Sequence, residues 1–426
     1  MLENTASENT ALENTAPENT ALEDVVNYLR SPQAIRERSA QLFELACDNE
    51  LSHFRCDLSR LDAVADFVVA VTQEAYPTGQ IPVHSRWRHL ELHGQSLLTR
   101  LGEAWQVLPS REQVRARLDL VIVSVLLDAG AGSRWRYVDP ISGESFQRSE
   151  GLAIASFQAF AQGLFSADPK QPWRVDAAAL QQLSVGQLAD AFQVTSENPL
   201  VGLEGRCQLL QSLGNELIAQ PRFFGASQPR LGNLVDYFLS QADGGDLKAA
   251  QILKTLLVSL GQIWPGRVAI SGTNLGDVWP HEALPDNGLG GQLVPFHKLS
   301  QWLTYSLLEP LESLGLTITG QSELTGLAEY RNGGLCIDLG LFVPKDPQIL
   351  SQPHPPDSPV VVEWRALTVI ALDRIAERVR DQLSAPDLTL PEILQGGTWS
   401  AGRRIAKQKR PDGTPPIQIL SDGTVF

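Results

Sequence analysis

The chain has 426 residues, a formal net charge of −15 and a pI near 5.0. So acidic a chain excludes a general binder of nucleic acid or anionic membranes, whose affinity needs clustered Lys and Arg. It does not exclude a small phosphorylated ligand, for which one or two cations in a pocket suffice. No run approaches the ~20 apolar residues of a membrane span, and no basic-then-apolar leader opens the chain. Cys47, Cys56, Cys207 and Cys336 lie far apart without a CxxC. They read as free thiols in a reducing, cytoplasmic setting.

Residues 3–22 read ENTAS, ENTAL, ENTAP, ENTAL. Five residues advance a helix by roughly 500°, so no apolar face forms. Five is also odd, so a strand would scatter the apolar positions over both faces. The pattern predicts a disordered tail over 1–23 with no catalytic role. From 24 onward the spacing is mostly helical. Helices are predicted over 24–46, 60–76, 95–107, 111–128, 149–163, 203–219, 231–241, 246–260, 296–315 and 365–383. Gly315 is a stop signal, and Pro109-Ser110 a start. Residues 136–148 predict a hairpin around Pro-Ile-Ser-Gly. RVAIS (267–271) and PIQIL (416–420) are candidates to pair as short strands. The Gly- and Pro-rich stretch 264–295 reads as an ordered functional loop, and 344–359 as a crossing loop. No flexible linker follows the tail, so 24–426 reads as one large unit.

Candidate chemistry is sparse. There is no GxSxG, no Walker loop and no GxGxxG opening a helix. Two adjacent acids after an apolar strand, the pyrophosphate-binding signal of phosphoribosyltransferases, are also missing. HSRWRHLELH holds His84, His89 and His93. On a helix His89 and His93 would share a face and His84 would not. A metal site is not favoured; Arg86 and Trp87 are candidates for a ligand pocket instead. Four carboxylate- or cation-bearing segments stand out. Asp128 ends the apolar run LVIVSVLL beside Gly130 and Gly132, with Arg134, Trp135 and Arg136 near enough to supply donors. Glu150 sits in the first turn of a helix, where the dipole favours an acid. Glu329 precedes Tyr330, Arg331 and Asn332 at a Gly-Gly break. His297 and Lys298 open a helix after Pro295, an arrangement able to grip phosphate.

Taken in order, DLVIVSVLLDAGAGSRWRY, RSEGLAIASFQAF, NPLVGLEGRCQLLQSLG, RLGNLVDYFL, GDVWPH, VPFHKLSQWLTYSLLEPL, LTGLAEYRNGG, VVEWRALTVIALDRIAE and SDGTVF resemble the uracil-catabolism protein family of fungi and bacteria, over roughly residues 30–426. The chain is also distantly similar to the queuosine-salvage N-glycosidases, which release a free base and ribose 5-phosphate from a nucleoside monophosphate. LLDAGAG stands where those enzymes have LDALNF, keeping Asp128. FHKLSQ stands for FYKRAQ, keeping Phe296, Lys298 and Gln301. LAEYR stands for FADYR, keeping Tyr330 and Arg331, with Glu329 one methylene longer than the aspartate it replaces.

The resemblance implies a mainly α fold: a large helical domain with a DNA-glycosylase-like, helix-hairpin-helix type core over about 111–342, a C-terminal helical extension over 360–426, and a few short strands. It implies an N-ribosyl hydrolase of pyrimidine catabolism that cleaves a ribosyl 5′-phosphate, with ribosylurea phosphate as the expected substrate. No cofactor or metal, nucleic acid or membrane is called for. Glu329 and Asp128 are the expected catalytic carboxylates. Lys298, Arg331, His297, Tyr330, Trp135, Glu150 and Trp279 are the expected substrate-binding residues. A phosphoribosyltransferase and a non-catalytic nucleotide-binding protein are the alternatives. The terminal DGTVF is a candidate lid over the site.

Overall fold

The computed structural model describes residues 16–264 and 268–420. The described residues form a mainly α protein, with strands of two or three residues that pair two by two. None of its helices is long and apolar enough to cross a membrane, among the described residues. The thiols of Cys47, Cys56, Cys207 and Cys336 are free.

The expected helix over 24–46 is two helices, α1 (Ala16–Leu29) and α2 (Pro32–Cys47). The residue before a proline is driven out of the helical region. Ser31 accordingly sits at φ −104°, ψ 150° and caps α2 by accepting from the Ala34 N–H at 3.1 Å. Helix α1 begins inside the repeat, where a disordered tail was expected. The apolar residues Leu22, Val25 and Val26 pack against Ile270, Leu275 and Val278, which gives the last repeat unit a partner it lacks in isolation. The rest of the expected tail, and the candidate lid at 422–426, lie outside the described residues.

Helix α3 (Leu61–Ala75) and α2 both pack against a long later helix, Pro359–Leu383. Helix α4 (Ser110–Leu126) starts polar and becomes apolar all round. It therefore runs into the core, with Leu118 through Leu126 buried. One buried acid interrupts that run: Asp119 accepts from Arg230 Nε at 2.7 Å and the Gly232 N–H at 2.6 Å. The expected hairpin forms as Tyr137–Val138 against Ser145–Phe146. It leads into α5 (Arg148–Ala161), and then α6 (Leu203–Ala219) and α7 (Ala249–Ser259) complete this side of the core. Helices α8 (Lys298–Glu312), α9 (Tyr330–Asp338), α10 (Pro359–Leu383) and α11 (Trp399–Lys409) follow. α8 lies along α4, and α11 along α9.

Two expectations differ. The 95–107 segment is a two-residue hairpin strand, a 3-10 turn over Leu97–Leu101 and one short helix, Gly102–Gln106. RVAIS and PIQIL do not pair with each other. Ala269–Ile270 turns back on Thr273–Asn274, and Gln418–Ile419 pairs in parallel with Pro353–His354. A tight turn at Gly272 gives the first strand a nearer partner.

Glu363 of α10 is fully buried and tied to His53, whose Nδ1 lies 2.8 Å from one carboxylate oxygen. Hydrogen bonding to Glu363 raises the His53 pKa above its ordinary 6.5, against a lowering by burial. A raised folded-state value stabilises the fold fully below the unfolded value and is lost as pH rises through the folded value. Unfolding free energy should therefore fall as pH rises above about 6.5. Denaturant titrations of the His53→Gln variant should show this slope removed.

Candidate active site

A cavity of about 300 Å³ opens where α4, α5, α8, α9 and α11 converge. Its volume is at the lower end of small-molecule sites. Helix ends supply much of its polar lining, set among apolar and aromatic side chains.

The floor is the end of α4. Leu126 closes the helix, and residues 128–133 line the cavity with Gly132 at φ +81°, a region that strongly favours glycine. The loop is held from below by Arg206 of α6, fully buried. Its Nε donates to the Leu127 carbonyl at 3.0 Å and its Nη2 to the Ala129 carbonyl at 2.7 Å. Asp128 is paired with Arg86, Nη1 to Oδ2 at 3.0 Å, with side-chain exposures of 6% and 0%. Arg86 Nε also donates to Ser124 Oγ at 2.8 Å. The second carboxylate oxygen of Asp128 and the Nη2 of Arg86 have no hydrogen-bond partner among the described residues. A buried acid with one oxygen engaged and one free is equipped to accept from a ligand.

The opposite wall is the start of α9. Glu329 is the N-cap, and its Oε1 accepts from the Asn332 N–H at 3.1 Å. Burial raises its pKa, against Lys298 and Arg331, which favour the charged form. Arg331 donates to the Gly413 carbonyl at 2.8 Å, and its guanidinium lies 5.0 Å from the Tyr330 ring centroid. Gly402 of α11 meets this turn closely: a Cβ there would stand 2.1 Å from the Arg331 carbonyl oxygen. Gly402→Ala should destabilise the fold by about 1–3 kcal/mol. Because the contact falls on the Glu329–Arg331 turn, ligand affinity should fall with it, as a denaturation curve and a binding titration on one sample would show.

Lys298 supplies a third side. Its ammonium lies 5.6 Å from the Trp302 ring centroid. The start of α8 is fixed by Asp277 from the Gly- and Pro-rich loop. Asp277 Oδ2 accepts from the Lys298 N–H at 3.0 Å, and both its oxygens pair with Arg365 of α10 at 2.7 and 2.8 Å. Burial would raise this carboxyl, but Arg365 holds it well below the usual range. Arg148 adds another cation at the start of α5, with φ +55°. Strained backbone of this kind concentrates at functional sites.

The structure thus gathers Asp128, Lys298, Glu329, Tyr330 and Arg331 around one cavity. The other four expected residues stand elsewhere. His297 takes φ +47° and turns its Nε2 to the Leu29 carbonyl, 2.9 Å away, so it anchors α1 rather than lining the cavity. Trp135 is fully buried, donates to the Phe192 carbonyl at 3.0 Å and stacks on the Phe192 ring. Trp279 donates to Asp277 Oδ1 at 2.7 Å and packs in the core. Glu150 lies next to the cavity wall at Ser149, but its carboxylate is taken by Arg403 at 2.6 Å. Burial would raise Glu150; Arg403 and His89 hold it low.

Residues not singled out as site residues complete the cavity: His84, His89, Trp302, Trp399, Arg148 and the C-terminal Thr414–Ile419 region. The HSRWRH stretch is a 3-10 turn over Arg86–His89, not an α-helix. His84 and His89 therefore meet at the cavity, while His93 is exposed and paired with Glu144. Arg86 does join the site, beneath Asp128, whereas Trp87 donates to the Ser306 carbonyl at 2.8 Å.

A family model described as "Protein of unknown function (DUF1688)" matches residues 28–426. The chain is 41% identical over 414 residues to "Protein urg3" of Schizosaccharomyces pombe, covering 95% of this chain and 99% of that protein. It is 38% identical over 439 residues to "Uracil catabolism protein 4" of Lachancea kluyveri, covering 95% and 100%.

Proposed function

The chain belongs to this DUF1688 family, and from that premise we propose that it acts in uracil catabolism as an N-ribosyl hydrolase on a ribosyl 5′-phosphate. The place in uracil catabolism draws on the name of the Lachancea kluyveri relative. The chemistry draws on one observation above others: two buried carboxylates, Asp128 and Glu329, share a small cavity with Lys298, Arg331 and Arg148.

Cleaving an N-ribosyl bond moves the bonding pair from C1′ onto nitrogen and builds positive charge on the ring. A carboxylate at the ring stabilises that charge. Water then adds its oxygen to C1′, and its proton passes through a carboxylate toward the departing nitrogen. Glu329, with its pKa raised by burial, is the group suited to holding that proton. Asp128, fixed by Arg86 and with one oxygen free, is suited to gripping the ribose hydroxyls. Lys298, Arg331 and Arg148 are suited to the 5′-phosphate. Ribosylurea phosphate, giving urea and ribose phosphate, is the substrate we favour.

The test is a mass-spectrometric turnover assay of the purified protein. It would be offered ribosylurea phosphate and uridine monophosphate, each with and without pyrophosphate and magnesium. Ribose phosphate released without pyrophosphate supports the hydrolase. Phosphoribosyl pyrophosphate formed only with pyrophosphate and magnesium overturns it in favour of a transferase.

A further inference from the structure

One end of the cavity is lined by aromatic rings. There the rings of His84, His89, Trp302 and Trp399 gather. His84 lies 6.2 Å from Trp302 at an interplanar angle of 25°, and 6.5 Å from Trp399; His89 lies 6.1 and 5.8 Å from the same two rings. Burial holds both imidazoles down to about 4, against the Gln395 hydrogen bond, which raises His84, and against Asp128 and Glu150, which raise His89. At neutral pH both imidazoles are therefore uncharged, and the cations at this end, Lys298 and Arg86 at Trp302 and Arg403 at Trp399, lie over indole rings.

His84 is gripped from behind by a single helical run. Its backbone N–H donates to the Pro391 carbonyl at 3.1 Å, and its ring Nδ1 lies 2.9 Å from Gln395 Oε1. Trp399 stands four residues further on. Between them residues 394–398 form a π-turn, a distortion often found at functional sites. Gln395 in turn donates from Nε2 to the Tyr76 hydroxyl at 3.0 Å. In this orientation the amide turns its nitrogen to a hydroxyl able to accept and its oxygen to the imidazole. An amide oxygen only accepts, so the proton of neutral His84 sits on Nδ1. Its Nε2 then carries a lone pair. On the same wall, the indole N–H of Trp302 is buried and has no hydrogen-bond partner among the described residues.

We propose that His84 and Trp302 form the subsite for the substrate's leaving group, with His84 Nε2 accepting an N–H and Trp302 Nε1 donating to the neighbouring carbonyl of a planar, uncharged amide such as a ureido or pyrimidine group. Gln395 is a positioning residue: it sets the tautomer that makes His84 an acceptor. This assignment rests on the N-ribosyl hydrolase reading and adds to it the chemistry of the departing group. An aromatic slot favours a planar group by stacking, and one acceptor beside one donor matches an amide edge.

The experiment measures calorimetric affinities for ribosylurea phosphate and for ribose 5-phosphate, which lacks the leaving group. His84→Phe keeps the ring and removes the acceptor. It should weaken ribosylurea phosphate by about tenfold or more and leave ribose 5-phosphate within about twofold. Gln395→Leu keeps the side-chain bulk and removes the tautomer lock. Nitrogen NMR of the His84 ring should show Nε2 change from unprotonated to protonated, with the same selective loss of affinity. An equal loss for both ligands, or no loss for ribosylurea phosphate, overturns the subsite while leaving the hydrolase reading in place. A His84 tautomer unchanged in Gln395→Leu overturns the positioning role. A wild-type protein that binds neither ligand overturns the subsite and the hydrolase reading together.

Discussion

Replacing Glu329 by Gln should lower kcat by about 10²–10³-fold with little change in stability. The magnitude is that of removing one group that stabilises developing charge. Stability should hold because Glu329 has two separable roles. As N-cap of α9 it needs only an oxygen that accepts from the Asn332 N–H, and the glutamine amide oxygen can do that. As a proton carrier it needs an ionisable group, which glutamine lacks. Glu329→Ala removes both, and should add about 1 kcal/mol of destabilisation to the same loss of turnover. Single-turnover kinetics beside thermal unfolding separates the two. Wild-type turnover by Glu329→Gln would confine Glu329 to capping.

Replacing Asp128 by Asn should be damaging in two ways at once. It strips the partner from Arg86, whose side chain is fully buried. Removing one member of a buried ion pair leaves the other uncompensated, at a cost of about 3–5 kcal/mol. It also changes the oxygen assigned to the ribose, so affinity for a ribosyl phosphate should fall in parallel. Coupling Asp128→Leu to Arg86→Met distinguishes the two effects. A buried pair replaced by apolar groups of similar size is often close to neutral. The double variant should recover most of the stability in urea titrations and none of the turnover. Recovery of both would mean that Asp128 serves the fold alone.

Much of this cavity was legible before any coordinates, and the reason is local. Asp128, Lys298 and the Glu329–Arg331 group each sit at a helix end, and two of those ends are marked by neighbours in sequence, the Gly-rich stretch after Asp128 and Pro295 before Lys298; the break expected at Gly333-Gly334 does not form, because both glycines are packed inside α9. Apolar spacing of three and four residues likewise places α4, α6 and α10 without help from the rest of the chain. Gly315, at φ +85°, stops the chain just beyond α8 as its residue type predicts.

The misplaced residues show what such signals omit. His297 is next to Lys298 in sequence, yet a backbone at φ +47° turns its ring to the Leu29 carbonyl instead of the cavity. Trp135 and Trp279 have the right character for a binding wall, and each spends its indole N–H on a partner inside the protein. Nothing adjacent in sequence encodes those choices. The same holds for the groups that were missed. His84 meets Gln395 across 311 residues, and Arg365 of α10 reaches across to Asp277 to fix the start of α8. The sequence by itself determined the helical class, the ends of several helices and five of the polar groups around the cavity, because periodicity and capping are properties of near neighbours. Only the tertiary structure decided which side chains face that cavity, because side-chain direction and long-range pairing follow from how the whole set of helices packs.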